Sequence, residues 1–154
     1  MSNDIYANIK VATIDDLKAV VKMALELWPD NLYDELKKEF KEIVTHDNQK
    51  EEVLLYQQDD NFIGFIHVAI RNDYVEGTDF SPTGYIEGIY VKSDSRMKGI
   101  AKTLVKAGEG WAKEKGCRQM ASDVELHNED SIKFHKRINY REVNRVVCFL
   151  NDID

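Results

Sequence analysis

The apolar positions of this chain follow first a helical period and then a strand period. Leu17, Val20, Val21, Ala24, Leu25 and Trp28 recur at helical spacing, behind a start signal in which Thr13 caps and Asp16 stands three residues on. Pro29 ends that helix, because proline lacks an N–H and clashes with the preceding turn. Tyr33, Leu36, Phe40, Ile43 and Val44 mark one face of a second helix over 32–44. The period then shortens: 53–57 and 62–70 read as strands joined by the turn Asp59-Asp60-Asn61, and 85–91 reads as another strand after a polar loop. Ile100, Leu104, Ala107 and Trp111 restore the helical period, and Gly116 supplies a left-handed residue to close that helix. A first strand fits 8–12, and a strand over 119–124, a helix over 128–138 and a last long strand over 141–150 complete the reading.

Strand, helix, strand across 85–124 is a βαβ unit, so its two strands are expected to be parallel, while the hairpins before it are antiparallel. The pattern predicts an α/β fold, a mixed central sheet with helices on both faces. With 154 residues and no repeat or linker, residues 1–154 are expected to form one domain.

Composition narrows the class. The chain is 43% hydrophobic and 32% charged, ordinary for a globular protein. No run approaches the roughly 18 apolar residues of a membrane span, and Met1-Ser2-Asn3-Asp4 carries no signal-peptide pattern. Cys117 and Cys148 form neither a metal spacing nor a disulfide framework, and His46, His67 and His127 are too scattered for a metal site. A cytoplasmic protein without a metal is the default expectation. The net charge of −7 argues against nucleic acid and suits a cationic small molecule.

Arg96-Met97-Lys98-Gly99-Ile100-Ala101 lies between the strand ending at Val91 and the helix that follows. A basic, glycine-containing turn that opens a helix aims several backbone N–H groups at one spot, and such a spot binds phosphate. It has neither the second glycine of a dinucleotide fingerprint nor the Gly-Lys-Ser/Thr of a Walker loop. The pattern Arg/Gln-x-x-Gly-x-Gly/Ala resembles the acetyl-coenzyme A motif of the GNAT N-acetyltransferases, and the order of elements resembles the GNAT fold over nearly the whole chain. That resemblance implies a V-shaped slot where the strand carrying Glu87 splays from its neighbour at a bulge, for which Gly88 is suited. Backbone groups of Ile89, Tyr90 and Val91 would there bind pantetheine amides and polarise the acetyl carbonyl. Asn128 through His135 resembles the second coenzyme A motif, and Asn128, Ser131, His135 and Ile138 share one helix face. Many relatives carry a proton-donating tyrosine where this chain has His135, which can also hold and deliver a proton; packing beside pantetheine is the alternative. Asn139 replaces a usual glycine at the helix end and tolerates the same left-handed backbone.

A closer resemblance is to the aminoglycoside 6'-N-acetyltransferases. It is carried, in order, by Leu27-Trp28-Pro29, 71–77 (Arg-Asn-Asp-Tyr-Val-Glu-Gly), 81–89 (Ser-Pro-Thr-Gly-Tyr-Ile-Glu-Gly-Ile), 116–123 (Gly-Cys-Arg-Gln-Met-Ala-Ser-Asp) and 128–135. It implies that Trp28, Tyr74, Glu87 and Asp123 line the substrate site. Asn144 stands where the family has a substrate-binding glutamate. The residues carry a case of their own: Glu87 and Asp123 approach the C-terminal ends of two parallel strands, where open α/β sheets bind ligands. Two carboxylates there would attract an ammonium group, and one would accept its proton; plain surface charge is the alternative. Asp73, Glu76 and Asp79 would add an acidic rim or lie in a solvated loop, and Trp28 and Tyr74 would stack on sugar rings or belong to the core.

The expectation is acetyl-coenzyme A-dependent transfer to an aminoglycoside 6'-amine without an acyl-enzyme, with Glu87, Asp123 and His135 as the chemical groups. Another primary amine, a polyamine or a peptide N-terminus, remains open. An acyl-coenzyme A sensor without chemistry is a third reading, against which Glu87 and His135 weigh. One long strand after the final helix, where most such folds have two, predicts a two-fold homodimer with that strand in the interface.

Overall fold

The computed structural model describes residues 6–45 and 49–154. The chain runs β1 (Ile9–Val11), a 3-10 turn (Ile14–Asp16), α1 (Leu17–Leu27), α2 (Tyr33–Val44), β2 (Glu51–Gln58), β3 (Asn61–Arg71), β4 (Thr83–Val91), a second 3-10 turn (Ser93–Ser95), α3 (Ile100–Glu114), β5 (Met120–Ser122) and α4 (Glu129–Arg137). The five strands lie in sequence order in one sheet. β1 to β4 pair antiparallel, and β5 joins β4 parallel, as the βαβ rule requires.

Local chemistry explains the boundaries. Asp16 accepts the Thr13 N–H at 2.9 Å, so the predicted start signal is formed, although it opens on a 3-10 turn. Asp59 and Asp60 both have positive φ, the backbone of a two-residue hairpin whose twist matches its strands. Gly116 and Asn139 take left-handed backbone at the ends of α3 and α4, as expected. Asn128 caps α4 by accepting the Ser131 N–H at 3.2 Å.

α1 and α2 bury Val20, Val21, Ala24, Leu36, Phe40 and Val44 against Val53, Leu55 and Phe65 on one sheet face. α3 covers the other face with Ile100, Leu104 and Val105 on Ile66, Val68, Ile86 and Val91, and Phe134 and Ile138 of α4 join it.

The predicted last strand is not formed. Residues 141–154 have no ladder partner among the described residues, and Val143, Val146, Val147, Phe149, Leu150 and Ile153 are exposed. The alternation of side chains is there, but a strand needs a neighbour's backbone, and within this chain the tail only folds back on the polar loop. Asn144 Nδ2 donates to Glu76, and a Cβ on Gly77 would sit 2.6 Å from Val143 Cγ2.

Candidate active site

The site begins where two strands part. β5 pairs with β4 only from Gly84↔Met120 to Ile86↔Ser122, and then it ends. β4 continues to Val91, so from Glu87 onward its edge away from β3 has no strand beside it. The register on the β3 side also breaks at this point: His67 pairs with Gly88 and Val68 with Ile86, leaving Glu87 as the extra residue. The bulge therefore lies at Glu87, immediately before the predicted Gly88. It turns two consecutive residues to the α1 side, since Glu87 bonds Arg71 and a Cβ on Gly88 would lie 2.5 Å from Trp28 Cη2.

Glu87 is not a free carboxylate. Arg71 Nη2 donates to its two oxygens at 2.9 and 3.1 Å, while the guanidinium lies 3.4 Å from the centre of the Tyr85 ring. Asp123 is exposed and lies near the Tyr85 hydroxyl; burial first, then the charge and hydrogen-bonding of Asp123, push the Tyr85 phenol up to about 12. Arg71, Tyr85, Glu87 and Asp123 thus form one cluster on the α1 side of the fork. Sequence reasoning named both acids but gave Arg71 and Tyr85 no part. Strand alternation from Glu87 back to Tyr85 was the available signal.

Trp28 is half-buried, 6.4 Å from Phe40 and 6.5 Å from Phe65 between ring centres, so it belongs to the core and also floors the fork over Gly88. Tyr74 is 78% exposed in the loop beside the exposed Asp73, Glu76 and Asp79, an exposure that an acidic rim and a solvated loop share. Asn144 bonds Glu76 in that loop and does not approach Glu87 or Asp123 through any bond.

The α3 side of the fork holds a different group. His135 Nδ1 lies 2.8 Å from the Ser131 carbonyl oxygen, and Nε2 lies 2.9 Å from Ser122 Oγ. Phe134 and Tyr140 rings stand edge-on to the imidazole at 5.7 and 5.8 Å. The Tyr140 hydroxyl donates to Glu109 at 2.6 Å, and burial with that bond drives its pKa far upward.

At the far end of the free β4 edge, Met97 (φ 65°) and Gly99 (φ 79°) put left-handed residues into the turn before α3, and Lys98 and Gly99 are exposed. Such a turn gathers N–H groups into an anion cradle, with Ile100 and Ala101 at the helix start behind it. Arg96 is exposed, and its Nε donates to the Val91 carbonyl at 2.9 Å, which ties the turn to β4. Among the described residues no group of His, Cys, Asp and Glu has metal-binding geometry. His67 is buried on Glu51 and His127 is exposed, whereas His46 lies outside the described residues.

A basic left-handed turn at a helix start, an unpaired strand edge and a fork flanked by acids are the parts that an acyl-coenzyme A transferase needs. Residues 17–140 match the model of the acetyltransferase (GNAT) family. The chain is 39% identical over 127 residues to an aminoglycoside N(6')-acetyltransferase type 1 of Acinetobacter genomosp. 13, covering 82% of this chain and 86% of the relative. It is 33% identical to the Serratia marcescens enzyme of the same name, covering 92% and 96%. The structure of AAC(6')-Iy in complex with the bisubstrate analog CoA-S-monomethyl-acetylneamine superposes with a TM-score of 0.88 at 33% identity, covering 94% of this chain and 97% of that one. The chain belongs to the GNAT acetyltransferases, and within them to the aminoglycoside N(6')-acetyltransferase family. It is an acyltransferase, and acetyl-coenzyme A is its cosubstrate.

Proposed function

We propose that this enzyme acetylates the 6'-amine of an aminoglycoside antibiotic directly from acetyl-coenzyme A, a modification that confers resistance. The observation that carries the reading is the juxtaposition of Glu87 and Asp123 at the fork, below the acidic loop of Asp73, Glu76 and Asp79. A polycationic drug suits that charge. Its ammonium group binds at the carboxylates, loses its proton to one of them directly or through water, and attacks the thioester. The turn Arg96–Ala101 takes the pyrophosphate, and the free edge at Ile89, Tyr90 and Val91 takes the pantetheine and polarises the acetyl carbonyl. Asn128, Ser131 and His135 border the cofactor from α4. Trp28, Tyr74 and Asn144 border the drug.

Residues 1–154 act as one domain in the cytoplasm, where acetyl-coenzyme A is supplied. No helix among the described residues is long and apolar enough to cross a membrane. The exposed apolar tail from Val143 to Ile153 supports a two-fold homodimer, because such a stripe calls for a covering surface.

The deciding experiment is a thiol-release assay with acetyl-coenzyme A against kanamycin-like drugs, polyamines and peptides. Saturable release with 6'-amino drugs, and none with drugs bearing a 6'-hydroxyl, is expected. Preference for polyamines or peptides would overturn the reading.

A further inference from the structure

We propose that Ser122 delivers the proton that the departing coenzyme A thiolate needs, with His135 as the reservoir behind it. The proposal rests on the acetyl-transfer reading above.

The hydrogen bonds fix the imidazole. A carbonyl oxygen only accepts, so His135 Nδ1, 2.8 Å from the Ser131 carbonyl, carries a hydrogen. In the neutral ring Nε2 then has the lone pair, and the Ser122 hydroxyl, 2.9 Å away, donates to it. Both ring nitrogens are thereby engaged, and the Phe134 and Tyr140 rings flank the imidazole. No N–H of His135 is left to meet a ligand in the fork. Tyr140, the other acid packed against it, is turned to Glu109, and burial holds its proton tightly.

Ser122 has the placement that His135 lacks. It is the last residue of β5, opposite Ile86, at the point where the strands part. Its side chain faces α4, whereas Asp123, the next residue, reaches Tyr85 on the other face. A thioester carried along the free β4 edge from the phosphate turn arrives at this fork.

The step balances. Protonated His135 carries hydrogen on both nitrogens, so Nε2–H donates to Ser122 Oγ and the Ser122 hydrogen swings toward the fork. As the carbon–sulfur bond of the tetrahedral adduct breaks, its electron pair goes to sulfur. Sulfur takes the hydrogen from Oγ while Oγ takes the hydrogen from Nε2. His135 is left neutral and regains a proton from water. The proton of the amine departs separately through the carboxylates.

Two measurements test this. The first is single-turnover acetyl transfer to the best amine in wild type, Ser122→Ala, Ser122→Thr, His135→Gln and the double variant Ser122→Ala/His135→Gln. Loss of a positioned acid costs about 10²-fold or more, so Ser122→Ala and His135→Gln should each slow the step by that order. The double variant should be no slower than either, and Ser122→Thr should stay within a few-fold of wild type. Calorimetric affinity for acetyl-coenzyme A is measured on each variant, so that the transfer rates are compared at saturating cofactor. The second is titration of the thiol of bound coenzyme A by its ultraviolet thiolate band, which needs no amine substrate. A thiolate that accepts the Ser122 hydrogen while protonated His135 donates Nε2–H to Oγ is stabilised, which lowers that pKa, and Ser122→Ala should return it toward that of the free thiol. An unshifted titration, a Ser122→Ala step as fast as wild type, or additive losses would overturn the relay and leave Ser122–His135 as a tie between β5 and α4. Failure of every aminoglycoside to react would overturn the substrate reading alone, since the thiol titration still decides the relay.

Discussion

Arg71 holds both carboxylate oxygens of Glu87, so the acid nearest the fork is already paired with a cation of the protein itself. An incoming ammonium group competes with that guanidinium. Replacing Arg71 by Gln removes the competitor and should lower KM for a polycationic amine several-fold, with a smaller effect on an amine of single charge. The loss of the stack on Tyr85 should lower Tm as well. Steady-state kinetics with two amines of different charge check it. A KM that rises for both would mean that Arg71 instead holds Glu87 in its working pose.

Asp123→Asn keeps the shape and removes the charge. A loss on the order of 10–1,000-fold in kcat/KM for the amine is expected, the range of a charge-assisted contact or a general base. Affinity for acetyl-coenzyme A should not change. Unaltered kinetics would reduce Asp123 to a surface carboxylate.

The same substitution should be visible in Tyr85. Its phenol is raised to about 12 by burial and by Asp123, so Asp123→Asn should bring its titration down. A group whose folded pKa is raised stabilises fully below its unfolded pKa, and that contribution disappears as pH rises through the folded value. Stability should therefore fall between pH about 10 and about 12, and less steeply in Tyr85→Phe. Denaturant melts across alkaline pH read this directly.

Gly99 needs its backbone, not its space. Its φ is 79°, and a Cβ there would meet no atom within 4 Å. A β-branched residue in left-handed backbone costs roughly 1–2 kcal/mol, and its side chain would also crowd a pyrophosphate at the cradle. Gly99→Val should weaken acetyl-coenzyme A binding by about tenfold or more, while Gly99→Asn, which tolerates that backbone, should lose less. Calorimetry on the two variants tests the cradle; equal affinities would remove it.

The tail prediction is one of mass. Light scattering at micromolar concentration should give twice the chain mass, and Val147→Asp with Phe149→Asp should halve it. A wild-type monomer would refute the dimer.

What the sequence revealed and what it hid divide along physical lines. Period and capping are local, so α1, α3, the Thr13–Asp16 start and the Asn139 end were legible from neighbouring residues. The parallel pairing of β4 and β5 followed from chain handedness alone. Side-chain pairings between elements were not legible. Arg71 meets Glu87 only because β3 and β4 pair in a register that lays its guanidinium across Tyr85, and Ser122 meets His135 only because α4 lies against one face of β5. The tail misled for a related reason: alternation describes how side chains point, while a strand also requires a second backbone, and none among the described residues pairs with it.

The fork has one consequence for the direction of chemistry. The acids of Glu87 and Asp123 lie on one side of the sheet, and the Ser122–His135 pair lies on the other. On the acetyl-transfer reading the thioester reacts at that boundary. The proton taken from the amine on one face and the proton given to the thiolate on the other would then pass through different groups, so removing one set should leave the other half of the proton traffic in place.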